Sequence, residues 1–145
     1  MQSFRMRAIL RLVLFTACFT GFLPSVALGG HGGEELVDAI TPERVKLLLD
    51  SREKLHLFDI RPLKDFNERR IPGARSIPMM ELDKRFGEVP RSGRAILYCS
   101  CQPGGGEEAY TYQLLRDKGY RNVSVMEEGF SGWVKRKYPV ETGSR

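Results

Sequence analysis

The sequence predicts an α/β domain with a mostly parallel sheet, and three observations lead to that fold class. Short apolar runs at residues 55–60 and 95–98 suit strands that are buried on both faces. Amphipathic stretches separate such runs, and regular alternation of strands and helices is typical of a parallel sheet. A glycine-rich loop follows the second run directly and begins with a thiol, Cys99.

The N-terminal segment has the layout of a secretory signal peptide. An apolar run at residues 12–23 follows three arginines, and small residues follow at 26–29. We therefore expect residues 1–28 to be removed on export. Residues 29–34 are expected to form a flexible linker, and residues 35–142 the folded domain.

Export places the mature protein in the periplasm if its source is bacterial, and two alternatives stay open. One is lipid anchoring at Cys18, because residues 15–18 loosely resemble a lipoprotein signal. The other is retention as a membrane anchor, although the apolar run is shorter than the ~20 residues that a spanning helix needs. Contact with a membrane is expected only if Cys18 is lipidated.

The net charge does not indicate a nucleic-acid partner. The full chain has a formal net charge of +5, but residues 1–28 hold three arginines and no acids, so their removal leaves +2. A balance so close to neutral is weak evidence for binding to nucleic acid or to a membrane surface. The remaining chain is long enough for one domain with one core.

The two cysteines beyond the signal segment, Cys99 and Cys101, are expected to serve chemistry rather than to stabilise the fold. A C-x-C pair closes too small a loop to act as a structural staple in an exported protein. Histidine occurs at His31, in the glycine-rich linker, and at His56, within an apolar run. No spacing typical of a zinc site is visible, and no cofactor is expected.

Capping residues and apolar patterns set the expected order of elements. A helix begins at Thr41, which precedes a proline and an acid in the first turn. A later helix is expected to direct Met80, Leu82 and Phe86 inward. The predicted strands are 35–40, 55–60, 74–77, 95–98 and 122–126, and the other predicted helices are 64–70, 79–87, 107–118 and 130–137.

The stretch from Cys99 to Glu107 has the order strand, thiol, loop, helix. Loop N–H groups and the positive end of the helix dipole favour an anion at the end of the strand. A thiolate is an anion, so we expect Cys99 to have a lowered pKa and to be nucleophilic. Glycines 104–106 allow positive φ angles that turn successive N–H groups toward that point. Asp59 ends another buried strand at the same sheet edge, where ligand loops gather.

Five segments form an ordered set across most of the chain. They are L-F-D-I-R-P at 57–62, R-I-P-G-A at 70–74 with I-P at 77–78, I-L-Y-C at 96–99, K-G-Y-R-N-V at 118–123, and E-G-F-S-G-W at 128–133 with Y-P-V at 138–140. In this order and at this spacing they resemble the rhodanese domain family over about residues 36–141. The cysteine segment is similar to a subgroup of that family with the loop Y-C-x-C-P.

The resemblance implies a five-stranded, mostly parallel sheet with helices on both faces. It also implies a sulfurtransferase that takes a sulfane sulfur from a small anionic donor such as thiosulfate. The sulfur is held as a persulfide on Cys99 and passed to a thiol or cyanide acceptor. The implied substrate-binding loop is Ser100, Cys101, Gln102, Gly104, Gly105 and Gly106, with Asp59 and Arg61 in support.

The loop departs from the usual family pattern C-x-x-G-x-R/S. It is longer and has no arginine, and Glu107 and Glu108 stand where Arg and Ser are common. Both acids oppose an anionic donor, while Arg69 and Arg70 are expected to restore positive charge at the site entrance. The missing arginine also excludes a phosphatase of the C-x5-R type, which needs it to hold phosphoryl oxygens bidentately.

Cys99 is the preferred nucleophile because the sheet fixes it, whereas Cys101 lies within a flexible loop. Cys101 is expected to line the loop or to resolve the Cys99 persulfide. Counting back from Gly119 slightly favours Cys101, so that alternative stays open. Two other functions also stay open: a non-enzymatic sulfur carrier or binding module, and a thiol redox protein that uses the C-x-C pair.

Overall fold

The computed structural model describes residues 37–100 and 106–143 of the 145-residue chain. All of them belong to one compact unit, Glu34–Arg145. The strands are β1 (Ala39–Ile40), β2 (Leu55–Asp59), β3 (Arg69–Arg70), β4 (Arg75–Ser76), β5 (Arg94–Tyr98), β6 (Val123–Met126) and β7 (Glu141–Thr142). The helices are α1 (Pro42–Asp50), α2 (Leu63–Glu68), α3 (Leu82–Arg85), α4 (Glu107–Asp117) and α5 (Gly129–Lys135), with 3-10 turns at Met79–Glu81 and Phe86–Glu88.

Five of the strands form one parallel sheet in the order β1-β6-β5-β2-β4. β5 lies in the middle, and its pairing with β2 brings Tyr98 beside Asp59 at the carboxyl ends of both strands. The predicted α/β class and the five-stranded parallel sheet are therefore confirmed.

Helices cover both faces of the sheet, and each face carries its own apolar cluster. Alternate side chains of β5 enter different clusters because successive residues of a strand point to opposite faces. Leu97 and Cys99 pack with Leu115 of α4, whereas Tyr98 packs with Trp133 of α5. The Cys99 side chain therefore lies on the α4 side of the sheet.

The predicted helix start at Thr41 is confirmed. Its side-chain oxygen accepts a hydrogen bond from the N–H of Arg44 at 3.3 Å, which satisfies one of the unpaired donors of the first turn. Val45 and Leu48 of this helix are buried. The capping residues thus position α1 over the sheet as the sequence predicts.

The helix predicted over residues 64–70 ends earlier than expected. α2 ends at Glu68, and Arg69–Arg70 form β3, which pairs antiparallel with β7 near the C-terminus. The local charge pattern favours a helix, but the partner strand lies about seventy positions away in the chain. The local sequence cannot predict a pairing with such a distant segment. In this case the pairing outweighs the helix propensity of Arg69 and Arg70.

The inward orientation predicted for Met80 is wrong, since 85% of this residue is exposed. Leu82 is fully buried as expected, and Phe86 is half-buried. The segment is not one helix but two 3-10 turns around the four-residue α3. A 3-10 turn has 3.0 residues per turn rather than 3.6, so the helical period does not identify the inward side chains.

The predicted signal segment and linker lie outside the described residues, as does most of the first predicted strand. β1 accordingly covers Ala39–Ile40 only. Within residues 37–100 and 106–143, no helix combines the length and the apolar character needed to cross a bilayer.

Candidate active site

Cys99 directly follows the central strand β5 and is almost completely buried, with 1% of its surface exposed. β2 and β6 flank β5, so the backbone that leads into Cys99 is held on both sides. The carbonyl oxygen of Cys99 also accepts a hydrogen bond of 2.6 Å from the N–H of Phe130, at the start of α5. This backbone position is the one that the sequence predicts, while the nucleophilic role of Cys99 stays a prediction.

Two residues of the expected substrate loop, Ser100 and Gly106, belong to the part of the chain that the structure describes. The carbonyl oxygen of Ser100 accepts a hydrogen bond of 3.2 Å from the hydroxyl of Ser131. Gly106 precedes α4 with a φ of −74°, so the positive φ expected of the loop glycines is not adopted here. The other four lie outside the described residues, and their roles stay predictions: Cys101, Gln102, Gly104 and Gly105.

Glu108, in the first turn of α4, brings its carboxyl group into contact with the Cys99 sulfur. The distance from Cys99 Sγ to Glu108 Oε1 is 2.8 Å. Burial raises the pKa of Glu108, and the negative charge of Glu107 adds to that rise, although a backbone hydrogen bond within Glu108 opposes it. The expected anion-binding environment of the thiol therefore includes an acidic side chain in direct contact.

The Cys99 sulfur is disulfide-bonded in this structure. A disulfide sulfur has no hydrogen to donate. The contact with Glu108 is therefore a hydrogen bond only if the carboxyl group carries the proton in this form. The raised pKa of Glu108 agrees with that assignment.

Asp59 and Arg61 form a buried ion pair at the carboxyl end of β2. Arg61 Nε lies 2.9 Å from Asp59 Oδ1 and Arg61 Nη2 lies 2.6 Å from Asp59 Oδ2, so the pair is bidentate. The second nitrogen also donates to the carbonyl oxygen of Arg69 at 2.6 Å. The pair thus ties β2 to the start of β3.

Arg61 is connected to the cysteine segment through an aromatic ring. Its guanidinium carbon lies 4.0 Å from the centre of the Phe130 ring, within range of a cation–π interaction. The N–H of Phe130 binds the Cys99 carbonyl, whereas its ring packs on the sheet face opposite the Cys99 sulfur. Phe130 therefore connects Arg61 to the backbone of Cys99. The supporting role expected of Asp59 and Arg61 stays a prediction.

Arg70 does not supply positive charge to the site entrance, contrary to expectation. It is 3% exposed, and its Nε lies 3.3 Å from the Glu141 carboxylate. Its guanidinium also donates to the carbonyl oxygens of Phe66 and Gly143. The apolar surroundings and the pairing with β7 draw this side chain into the fold, where its charge is compensated. Arg69 is exposed.

Three contributions to the site are not expected from the sequence. They are the contact of Glu108 with the sulfur, the hydrogen bond from Phe130, and the hydroxyl of Tyr98, which accepts a hydrogen bond of 3.2 Å from the N–H of Ile71. Burial, with a further contribution from Asp59, raises the pKa of Tyr98 and keeps it neutral. The position of Glu108 in the first turn after the thiol loop is the one signal in the sequence for its contact.

The described residues contain no group of three His, Cys, Asp or Glu side chains arranged to hold a metal ion. His56 lies half-buried in β2, with its ring against Gly93. His31 is outside the described residues.

The family of the chain follows from comparison with known proteins. A model of the Rhodanese-like domain matches residues 41–136, which is well over half of the chain. The chain therefore belongs to the Rhodanese-like domain family.

Curated relatives are distant and carry different functional names. A thiosulfate sulfurtransferase, GlpE, of Glaesserella parasuis is 28% identical over 110 residues, with 76% of this chain and 98% of the relative covered. A sulfurtransferase of Allochromatium vinosum is 26% identical over 105 residues, covering 72% of this chain and 95% of that protein. The putative sulfur carrier protein YrkF of Bacillus subtilis is 27% identical over 108 residues, covering 73% of this chain but only 57% of that protein.

Solved structures share the fold. The BH2092 protein of Bacillus halodurans superposes with a TM-score of 0.67 at 20% identity, covering 75% of this chain and 80% of that one. A thiosulfate sulfurtransferase of Pseudomonas aeruginosa superposes with a TM-score of 0.65 at 28% identity, covering 74% of this chain and 21% of that one. The likeness to the BH2092 protein, at 20% identity, concerns the fold alone.

Proposed function

We propose that the protein is a sulfurtransferase that moves a sulfane sulfur through a persulfide on Cys99. The observation that carries this proposal is the position of Cys99 at the carboxyl end of the central strand of a rhodanese-like domain. Sheet pairing and the hydrogen bond from Phe130 fix its backbone, and a fixed reacting group is what nucleophilic catalysis requires. The names of two distant relatives, both sulfurtransferases, support it.

The donor in this proposal is a small anion such as thiosulfate, and the acceptor is a thiol or cyanide. The thiolate of Cys99 attacks the sulfane sulfur, the bond between the two donor sulfurs breaks, and sulfite leaves with the electron pair. The acceptor then attacks the terminal sulfur of the persulfide and releases the Cys99 thiolate. Backbone N–H groups of the loop 100–106 are proposed to stabilise the anions in both steps.

A pair of cysteine variants tests the proposal. Cys99→Ser is expected to abolish both persulfide formation and sulfur transfer, because it removes the nucleophile. Cys101→Ser is expected to keep the persulfide and to change mainly its lifetime. The measurement is intact mass of the reduced protein after incubation with thiosulfate, where the persulfide adds one sulfur atom.

The assignment of the nucleophile fails if the Cys99→Ser protein gains a sulfur and the Cys101→Ser protein does not. Steady-state production of thiocyanate from thiosulfate and cyanide then separates an enzyme from a carrier. A protein that gains one sulfur but turns over negligibly is a sulfur carrier, as the name of the relative YrkF suggests for that protein.

A second candidate is a thiol redox protein, and the disulfide at Cys99 favours it. In that case the reduced protein loses two hydrogen atoms when it reacts with its substrate and gains no sulfur. The same mass measurement therefore distinguishes the two functions.

We also propose that the domain acts after export, with residues 1–28 removed. The arginine-rich start, the apolar run and the small residues at 26–29 support this. Lipid anchoring at Cys18 is the alternative location, at the cell envelope.

A further inference from the structure

The contact between Glu108 and Cys99 joins a half-buried acid to the sulfur at the end of the central strand. Glu108 is the second residue of α4, and its carboxyl oxygen lies 2.8 Å from Cys99 Sγ. Its neighbour Glu107 belongs to the same helical turn but is exposed. The two acids therefore differ in burial, although the sequence presents them as equivalent.

In the reduced protein, a thiolate and an ionised carboxylate at this distance would face each other unless they shared a proton. Two negative charges about 3 Å apart would repel by on the order of 5 kcal/mol, even at an effective dielectric constant of about 20. With one proton shared, the same two atoms form a charge-assisted hydrogen bond instead. In the reduced protein the proton is held either by the thiol or by the carboxyl group, and the two titrate as a coupled pair.

We propose that Glu108 is the proton acceptor for Cys99 and returns that proton after sulfur transfer. The proposal rests on the proposed sulfurtransferase function. It assigns a catalytic role to Glu108, because its carboxyl group touches the reacting sulfur, and assigns none to Glu107.

The step balances without an external oxidant or reductant. The Cys99 thiol gives its proton to the Glu108 carboxylate, and the resulting thiolate attacks the sulfane sulfur of thiosulfate. A sulfur–sulfur bond forms to Cys99, and the old bond breaks with its electron pair on sulfite. The products are a Cys99 persulfide anion, sulfite and a neutral Glu108. When the acceptor attacks the terminal sulfur, the sulfur–sulfur bond breaks with its electron pair on Cys99, and the neutral Glu108 returns the proton to that sulfur.

This arrangement also removes the conflict between an acidic loop and an anionic donor. During the attack the Glu108 carboxyl group is neutral, so it does not repel a dianion at the sulfur. Glu107, which is exposed, continues to oppose the donor through its charge. We therefore expect the two glutamates to affect different kinetic constants.

Within the described residues, Glu107 acts on Glu108 through its charge, and Tyr112 and Tyr120 are buried in the same apolar cluster as Cys99. β6, which packs against α4, brings no titratable side chain, and Tyr98 of β5 points into the cluster on the opposite face. Within the described residues, the charge that acts on Glu108 is that of Glu107.

The test compares Glu108→Gln with the matched control Glu107→Gln, both in the reduced full chain. The measurement is the single-turnover rate of persulfide formation with saturating thiosulfate, followed across pH by quenched mass spectrometry. For the unchanged protein and for Glu107→Gln we expect a bell-shaped profile, which falls when the pair holds two protons and when it holds none. For Glu108→Gln we expect one rising step and a limiting rate at least about tenfold lower near neutral pH.

The concentration of donor at half-saturation provides a second comparison. Glu107→Gln should lower it more at low salt than at high salt, with the limiting rate unchanged, because salt screens exposed charges. Glu108→Gln should lower the limiting rate whether or not the donor concentration at half-saturation changes. A role confined to repelling the donor predicts instead that both variants behave alike.

A measurement on the unchanged protein guards against a folding defect in Glu108→Gln. Alkylation of Cys99 by iodoacetamide, resolved from Cys101 by fragment masses, should follow two titration steps that belong to the coupled pair. A single step, or a Glu108→Gln protein with the bell-shaped profile and rate of the control, overturns the proposal. Failure of the unchanged protein to gain any sulfur overturns the proposed function instead, so the two failures are distinguishable.

Discussion

The dipole of α4 and the carboxylate of Glu108 have opposite effects on a negative charge at the Cys99 sulfur. The sizes of the two interaction energies decide which effect dominates. The positive end of a helix stabilises a nearby anion by about 0.3–1 kcal/mol. An ionised carboxylate in contact with a thiolate opposes it by several times that amount, on the order of 5 kcal/mol for charges in a partly buried site. The helix dipole of α4 is therefore too weak to offset an ionised Glu108 in contact with a Cys99 thiolate.

The buried pair of Asp59 and Arg61 should be the most costly side-chain interaction to break near the site. The exposed fractions of these side chains are 0% and 5%. Arg61→Ala is expected to lower the free energy of unfolding by about 3–5 kcal/mol, because it leaves the Asp59 carboxylate buried without its partner. Urea denaturation measures the change.

Arg85→Ala is the control for that prediction. Arg85 also bridges two carboxylates, Glu81 and Glu88, but it is about one third exposed. Surface ion pairs contribute about 0–1 kcal/mol each, so its loss should cost far less. Equal effects of the two substitutions would show that burial does not decide the cost.

Sequence reasoning predicts the backbone positions of the candidate site residues better than their contacts. Asp59 ends one strand with a clear apolar run, and Cys99 directly follows another. Parallel strands bring their carboxyl ends to one edge of the sheet, and Arg61 lies two residues beyond Asp59. The contact of Glu108 with the sulfur depends on the path of the loop and on side-chain rotamers, which spacing does not encode. The prediction that Arg70 supplies charge at the site entrance fails for another reason. Its ion pair with Glu141 depends on a pairing of chain segments far apart in sequence.

At the scale of elements, the turn between β6 and α5 positions the backbone of Cys99. Glu128 adopts a left-handed conformation with a φ of +56°, and Gly129 follows with a φ of +50°. Left-handed backbone at a residue other than glycine costs free energy and is maintained by its surroundings. Here the turn directs the N–H of Phe130 to the carbonyl oxygen of Cys99.

Gly132→Ala should destabilise the domain by disturbing that turn. A Cβ atom at Gly132 would lie 2.4 Å from the Cβ of Glu128, too close for any real contact. Overpacking costs about 1–3 kcal/mol, which outweighs the roughly 1 kcal/mol that alanine gains over glycine in a helix. Thermal unfolding should show a lower midpoint.

Gly87→Ala is the matched control, because a Cβ atom at Gly87 would meet nothing within 4 Å and the φ of this residue is not positive. Its effect should be small or stabilising. If Gly132→Ala were equally harmless, the turn would have room to shift, and its role in holding Cys99 would be in doubt.

Element types follow from sequence more closely than element ends. The apolar runs of β2 and β5 and the cap of α1 are local signals, and all three lie where expected. β3 and β7 are two residues each and stabilise one another across the chain, so neither has a local signal. Short 3-10 turns around α3 likewise lack the period that identifies a helix.

For the whole molecule, the expected export has a direct test. Intact mass of the protein recovered from a bacterial cell envelope should show that residues 1–28 are absent, because a signal peptidase removes them. Cys18→Ala should leave that mass unchanged, since the cysteine is then part of the removed segment. A mature chain that begins at a lipid-modified Cys18, and whose processing is blocked by Cys18→Ala, would support envelope anchoring instead.

The β3–β7 pair determines where this domain tolerates being cut. Residues 41–136 carry the family match, yet the indole N–H of Trp133 donates to the carbonyl oxygen of Pro139 at 2.8 Å, and Arg70 relies on Glu141 and Gly143. A chain that ended at residue 136 would leave the buried guanidinium of Arg70 without Glu141 and Gly143. The indole N–H of Trp133 would also lose its acceptor. Fusion partners, affinity tags and protease sites therefore belong after Gly143, where they leave the β3–β7 pair and these hydrogen bonds intact.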